Sequence, residues 1–273
     1  MTHIKHIKKR KNMKAIDIIE YIKEGSMPLK VTCDTVKSGD AKKEVKKLGI
    51  AMFATVDVVK AAAEWGADML IVHEPTYYDH MDVMIDSSVT NAKKALIDES
   101  GIVIFRYHDT MHVREVDQIP EGELHYLGLT GEIERTPYGS SYILNADEEI
   151  TALEMARLME DKLGIKHVRI AGSRDHKSKR IALCFGTPGG VFQLLCDDTI
   201  DMVLTGEACE WKLSEYARDA DLLGIKKALI VMGHIGSERD GMRLLAERLG
   251  DKYTDIDVKY FECGEVYSYT DDK

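Results

Sequence analysis

Apolar residues along this chain fall into short continuous runs, not long alternating stretches. Residues 69–72, 102–107, 202–205 and 228–232 are apolar almost throughout, the pattern of strands buried on both faces. Amphipathic segments lie between them. Thr55 is a suitable N-cap for a helix over Val56–Trp65, with Asp57 in its first turn and Gly66 as its stop. Residues 89–100 read as a helix ending at Gly101, residues 15–23 as a short amphipathic helix, and residues 29–34 as a strand. The second half predicts a strand over 179–185, a Gly-Thr-Pro-Gly-Gly turn at 186–190 and a helix from 191 to 196. Further helices are expected at 211–223, stopped by Gly224, and at 237–249, closed by Gly250, before a last strand at 258–267. Between the halves, 128–145 suits edge strands and 149–163 a helix followed by Gly164. Strands alternating with helices call for a layered α/β fold. The expected division is a first α/β half over 15–127, connecting strands and helix over 128–178, and the remainder of the second half over 179–273.

The two halves also share wording. Asp68 to Glu74 reads Asp-Met-Leu-Ile-Val-His-Glu, and Asp201 to Glu207 reads Asp-Met-Val-Leu-Thr-Gly-Glu. Each is followed by a helical stretch and then an apolar run that ends near a histidine with a polar partner four residues on: His108 with His112, and His234 with Glu238. Similar strands recur by chance, but the same order of strand, polar end, helix, strand and histidine in both halves reads as internal duplication. The fold class expected is therefore two related α/β halves facing each other across a metal-binding cleft.

Strand C-terminal ends are the usual place for sites in such sheets. Three clusters stand there: His73-Glu74-Pro75, His108-Asp109 with His112, and Gly233-His234 with Glu238. Neighbours on an extended strand point to opposite faces, so His73 and Glu74 serve one site only if the strand has ended, as Pro75 suggests. Spacing of four puts His234 and Glu238 on one side of a helical turn. Neutral imidazoles with carboxylates suit Zn, Fe, Mn or Ni. A single strand-end histidine is ordinarily a surface or hydrogen-bonded core residue; three clusters at equivalent places are harder to explain that way. His80, near Tyr77 and Tyr78, is placed to line a mouth, while His3, His6, His125, His167 and His176 have no partner pattern. Glu207 is a candidate catalytic or ligand-orienting carboxylate, or a plain residue at a helix start. Arg106 and Arg239 flank the clusters, as surface ion pairs or as phosphate receivers.

These segments together resemble the Nif-three-like family (NGG-one-interacting factor three), also known as type-two-like GTP cyclohydrolase I. Val-Met-Gly-His234-Ile-Gly-Ser-Glu238 is similar to its Gly-His-x-x-x-Glu motif, His73-Glu74-Pro75 to its His-His-Pro, His108-Asp-Thr-Met-His112 to its His-Thr-Asn-Leu-Asp, and Thr-Gly-Glu207 to its Thr-Gly-Glu/Asp. The resemblance implies a dinuclear centre of two divalent ions (Zn, Fe or Mn) in the cleft and a homo-oligomer, often a toroidal hexamer. It carries His73, His234 and Glu238 over as ligands, with Glu238 as the bridge, and places His108 beside them. Glu74 stands where the family has a second histidine and His112 where it has an aspartate, an exchange that conserves the ligand inventory. The function implied is a metal-dependent hydrolase-like protein acting on a small, phosphorylated or nucleotide-like substrate. The other reading is a metal-binding assembly or regulatory protein without turnover. The sequence has no P-loop and no Gly-x-Gly-x-x-Gly to support a nucleotide-binding label independently.

Composition narrows this only by exclusion. At 273 residues the chain is near two domains of roughly 150 each. A net charge of −10 argues against general nucleic-acid binding, and no apolar run reaches the roughly 18–20 residues of a membrane span. The basic stretch over residues 1–14 lacks the apolar core of a secretory signal, and Met13 offers an alternative start. Five cysteines without Cys-x-x-Cys spacing fit reduced thiols and a cytoplasmic setting.

Overall fold

A computed structural model of the protein describes residues 12–270; most of the basic N-terminal stretch, with His3 and His6, lies outside the described residues. The chain opens with α1 (Ala15–Lys23), β1 (Val36–Ser38), β2 (Lys47–Ala51), α2 (Val56–Trp65), β3 (Met69–Val72), α3 (Ser88–Ser100) and β4 (Val103–Arg106). Thr55 caps α2 by accepting from the Val58 amide, and Gly66 closes it at φ 80°, as the sequence predicts. The short α4 (Asp109–His112) and α5 (Gln118–Leu127) follow. The second half comprises β5 (Gly131–Arg135), β6 (Tyr142–Thr151), α6 (Ala152–Leu163), β7 (Arg169–Gly172), β8 (Lys177–Cys184), α7 (Val191–Leu195) and β9 (Met202–Thr205). A π-helical turn (Glu210–Ser214) then leads into α8 (Glu215–Leu222), β10 (Ala228–Val231), α9 (His234–Lys252) and β11 (Asp257–Phe261).

Two sheets result, in the orders β1-β4-β3-β2-β11 and β5-β6-β8-β9-β10-β7. Alternation along each strand divides the core. Met69 and Ile71 of β3, with Met202 and Leu204 of β9, face a large inner core that also takes side chains from α1, α5, α6 and α9. Leu70 and Val72 face outward onto α2 and α3; Val203, with Leu229 of β10, faces outward onto α7 and α8. Helices thus cover both faces of both sheets, which is why these strands are continuously apolar.

The duplication is visible in the ladders. β2-β3-β4 and β8-β9-β10 are parallel triplets, and β1 and β7 lie antiparallel on the outer side of β4 and β10. Asp68 and Asp201 occupy equivalent places: their amides donate to Lys47 and Arg180, and their carbonyls accept from Val103 and Ala228. The same register pairs Tyr107 with Met232, whose amides donate to Val72 and Thr205. His108 therefore corresponds to Gly233, and His234 lies one residue further on. The sequence similarity suggests that the two histidines are equivalent; the hydrogen-bond register corrects this.

Other differences have local causes. Residues 29–34 are not a strand, because Asp34 turns in to accept the amides of residues 108–110 and the chain bends around it. The helix expected at 237–249 starts at His234 and runs through Gly250 to Lys252; glycine costs about 1 kcal/mol in a helix but does not forbid it. The last strand is shorter than expected and lies in the first sheet, parallel to β2. Its counterpart after α5 is the β5-β6 pair, which joins the second sheet beside β8. Each half thus sends the strand that follows its central helix into the other sheet.

Candidate metal centre

β3 ends at Val72, so His73 and Glu74 lie just beyond it, where both amides donate to the Met52 carbonyl. Both side chains can then face the same side. His108 lies two residues beyond the end of β4 and is the N-cap of α4, which carries His112. β10 ends just before Gly233, whose φ of 85° lets the chain turn directly into α9 with His234 and Glu238 one turn apart. The parallel strand ends of both halves thus converge on one cleft.

All four histidines share one arrangement. His73 donates from Nδ1 to the Tyr107 carbonyl at 3.0 Å. His108 Nδ1 lies 2.8 Å from Asp109 Oδ1, His112 Nδ1 2.8 Å from Asp117 Oδ2, and His234 Nδ1 2.7 Å from Glu207 Oε1. An acceptor on Nδ1 fixes the ring and directs Nε2 away from it, as at metal-ligating histidines. The His108 ring centroid is 4.6 Å from that of His73 and 4.9 Å from that of His112. His234 Nε2 reaches across from the second half to Glu74 Oε1 at 2.9 Å and Glu238 Oε2 at 3.2 Å. Glu238 Oε2 is also 3.9 Å from His73 Nε2.

Ligand atoms of His73, His108 and His112 lie within 4.8 Å of one another, as do those of His73, Glu74 and Glu238. The two groups share His73. His73 Nε2 and Glu238 Oε2 are buried without a hydrogen-bond partner among the described residues. With its proton on Nδ1, His73 Nε2 is an acceptor like Glu238 Oε2, and two buried acceptors 3.9 Å apart are a costly arrangement for apoprotein alone. The mixed N and O donor set fits a borderline divalent transition metal.

Electrostatics point the same way. Burial, then the neighbouring His108 and His112, push the His73 pKa well below its usual value, keeping it a neutral donor. Burial would depress His112, but the charge and hydrogen bond of Asp117, helped by Glu238 and Glu74, raise it to about 9. Burial also opposes charge on His234, yet Glu238 and Glu74 raise it to about 11. Burial would raise Glu74, but the His234 hydrogen bond and nearby histidine charges hold it well below the carboxylate range. Without ions, protons on these imidazoles balance the carboxylates.

All six expected ligand residues, His73, Glu74, His108, His112, His234 and Glu238, therefore meet in one cleft, and Glu207 touches it through His234. The two arginines are corrected. Arg106 is fully buried, donating to the His73 carbonyl at 3.0 Å and to that of His80, with Nη2 3.6 Å from Glu74. Arg239 donates to the Leu163 carbonyl and flanks Asp240. Neither is a surface pair or an open phosphate receiver. Sequence reading named Asp109 in the His108 cluster without giving it a role, and missed Asp117 and Asp34, which hold His112 and the start of α4. Asp117 and Asp34 carry no pattern beyond good capping residues. Gly186 of the 186–190 turn packs against the Glu238 carboxylate, where a Cβ would collide, so this glycine is explained without a phosphate.

A family profile described as Duf34/NIF3 (NGG1p interacting factor 3) matches residues 13–265. A GTP cyclohydrolase 1 type 2 homolog from Clostridium perfringens is 25% identical over 266 residues, covering 93% of this chain and 97% of that protein. The homolog of the same name from Escherichia coli K12 is 25% identical, covering 82% and 86%. Among solved structures, protein ybgI, of unknown function, superposes with a TM-score of 0.73 at 20% identity, covering 93% and 99%. Staphylococcus aureus protein SA1388 superposes with a TM-score of 0.73 at 18% identity, covering 95% and 100%.

Proposed function

The chain belongs to the Duf34/NIF3 family, and on that premise we propose that it holds two divalent ions (Zn, Fe or Mn) and hydrolyses a small, phosphorylated or nucleotide-like substrate. The observation that carries this reading is the shared histidine arrangement: four rings with Nδ1 engaged, around the orphaned His73 Nε2 and Glu238 Oε2. His73, Glu74, His108, His112, His234 and Glu238 would hold the pair, with Glu238 as the shared ligand because it lies between His73 and His234. Ions bound there would supply Lewis acidity and activate water for attack on an ester or amide bond. Glu207 keeps His234 oriented; at 58% side-chain exposure it can also exchange a proton with solvent at the cleft edge. A cavity of about 580 Å³ adjoins His234 and Glu207, lined also by Lys166, Arg169, Met232 and Tyr267. Its size suits a small molecule; Glu207, Glu210 and Glu265 share its wall with Lys166 and Arg169, so its charge alone does not select an anionic group.

The test is metal analysis of the purified protein, followed by phosphatase, phosphodiesterase and nucleotide-hydrolysis assays with added Mn, Fe or Zn. Near two ions per chain, and turnover reduced more than about 100-fold in Glu238→Gln, are expected, beyond the range seen for outer-shell partners. Less than about half an ion per chain, with activity indifferent to His73→Ala and His234→Ala, would overturn it.

A second reading, a metal-binding assembly or regulatory protein without turnover, is favoured by the Glu74–His234 contact, which ties the halves together directly. Two tightly bound ions with no turnover in any assay would select it. Under either reading we propose a homo-oligomer, a hexamer by family resemblance, to be tested by sedimentation. No described helix is long and apolar enough to cross a membrane, and the five cysteines are free, which supports a cytoplasmic setting.

A further inference from the structure

We propose that Cys33 Sγ, His108 Nδ1 and an Asp109 carboxylate oxygen form an auxiliary site for a third divalent ion, of the borderline-soft zinc and cobalt class. The proposal rests on the reading above in one respect, that His108 directs Nε2 into the cleft. One ligand atom from each of Cys33, His108 and Asp109 lies within 4.8 Å of the other two, with His108 Nδ1 2.8 Å from Asp109 Oδ1, although Cys33 is 75 positions before His108 in the chain. Asp34 brings them together. Its carboxylate accepts the amides of His108, Asp109 and Thr110 at 2.8–2.9 Å, while the Cys33 amide donates to Asp109 Oδ2 at 2.9 Å.

A fourth donor stands at the open side. His80 Nε2 is 3.8 Å from Asp109 Oδ1, its side chain 60% exposed and its ring 5.4 Å from that of His108. The loop that presents it is firmly held. Buried Lys37 pairs with buried Asp82 at 2.8 Å, Lys93 donates to the Thr76 carbonyl at 2.6 Å, and Arg106 donates to the His80 carbonyl. Tyr78 and Asp82 adopt positive φ, which residues other than glycine seldom do. Thus an irregular loop is anchored by buried charges beside a thiol, an imidazole and a carboxylate.

Thiolate with imidazole and carboxylate is a zinc-type donor set, unsuited to magnesium or calcium. His108 Nδ1, 2.8 Å from Asp109 Oδ1, would face the auxiliary ion while Nε2 faces the cleft, so His108 would link the two.

The test is a Co(II) titration of full-length protein stripped by chelation, followed by near-ultraviolet absorption and metal analysis. A third equivalent should bring a thiolate-to-cobalt charge-transfer band. Cys33→Ala should lose both the band and the third equivalent yet keep two. Cys33→Ser, close in size, should lose the band while its melting curve confirms folding. A wild type that saturates without the band, or a Cys33→Ala protein that still takes three equivalents, overturns the proposal. Failure of the cleft reading looks different: cobalt uptake would then be unchanged by His73→Ala.

Discussion

Each cleft histidine carries its own orienting acceptor, and the acceptors differ in kind. His73 uses a backbone carbonyl, whereas His108, His112 and His234 use carboxylates from Asp109, Asp117 and Glu207. Asp117 is the most committed of them. It is buried, accepts from the Tyr142 hydroxyl at 2.9 Å as well as facing His112, and caps α5 through the Ile119 amide. Asp117→Ala should weaken metal binding by about 10–100-fold and lower stability by about 1 kcal/mol through the lost cap, read by competition with a chelating dye and by denaturant melts. The pKa shifts set a pH dependence for the metal-free protein. His112 and His234 are raised to about 9 and about 11 in the folded state, against about 6.5 when unfolded. Their stabilisation is complete below about 6.5 and is lost as pH rises, through 9 for His112 and 11 for His234. His73, depressed, acts in the other direction and costs stability as pH falls below 6.5. Melting temperature of chelated protein should therefore decline between pH 7 and 9.5, with a shallower decline in Asp117→Asn. A flat profile there would refute the His112–Asp117 pairing.

At the scale of elements, the contact between α5 and α9 governs how the candidate ligands from the two halves meet. A Cβ on Gly122 would lie 2.5 Å from the Asp240 carbonyl oxygen and 2.5 Å from Gly241 Cα; one on Gly241 would lie 2.7 Å from Ile119 Cα. These neighbours are backbone, so the helices themselves must part. α9 carries His234 and Glu238, and Asp117 at the start of α5 holds His112. Gly122→Ala should cost about 1–3 kcal/mol by overpacking and weaken metal binding in parallel. Gly250→Ala, whose Cβ would meet only Val258 at 3.9 Å, should instead stabilise α9 by up to about 1 kcal/mol. Thermal melts with and without added Zn would separate the two outcomes. The sequence gives both glycines the same look, since helical periodicity does not report how near another backbone comes.

For the whole molecule, strand exchange between the sheets makes the halves interdependent. β11 completes the first sheet beside β2, and β5-β6 extend the second beside β8. Cutting the chain between the halves would strip a strand or a strand pair from each sheet. Calorimetry of the intact protein should show one cooperative transition, with calorimetric and van't Hoff enthalpies in agreement; two resolved transitions would show that the halves fold independently.

The sequence by itself determined the alternation of strands and helices, the position of β3 and β9 to the residue, the doubled architecture, and six candidate residues that meet in one cleft. Those features are local: apolar runs, caps, glycine stops and residues just past a strand are written in neighbouring positions. Only the tertiary structure decided the rest. It moved the last strand into the opposite sheet, turned residues 29–34 from a strand into a brace, and offset the two strand-end histidines by one position. It also chose the partners, setting Glu74 on His234 across 160 residues and Asp34 on the amides of α4 across 76. Such contacts form because burying a charged or polar group is tolerable only when a partner meets it. Which partner does so depends on where folding brings distant segments together.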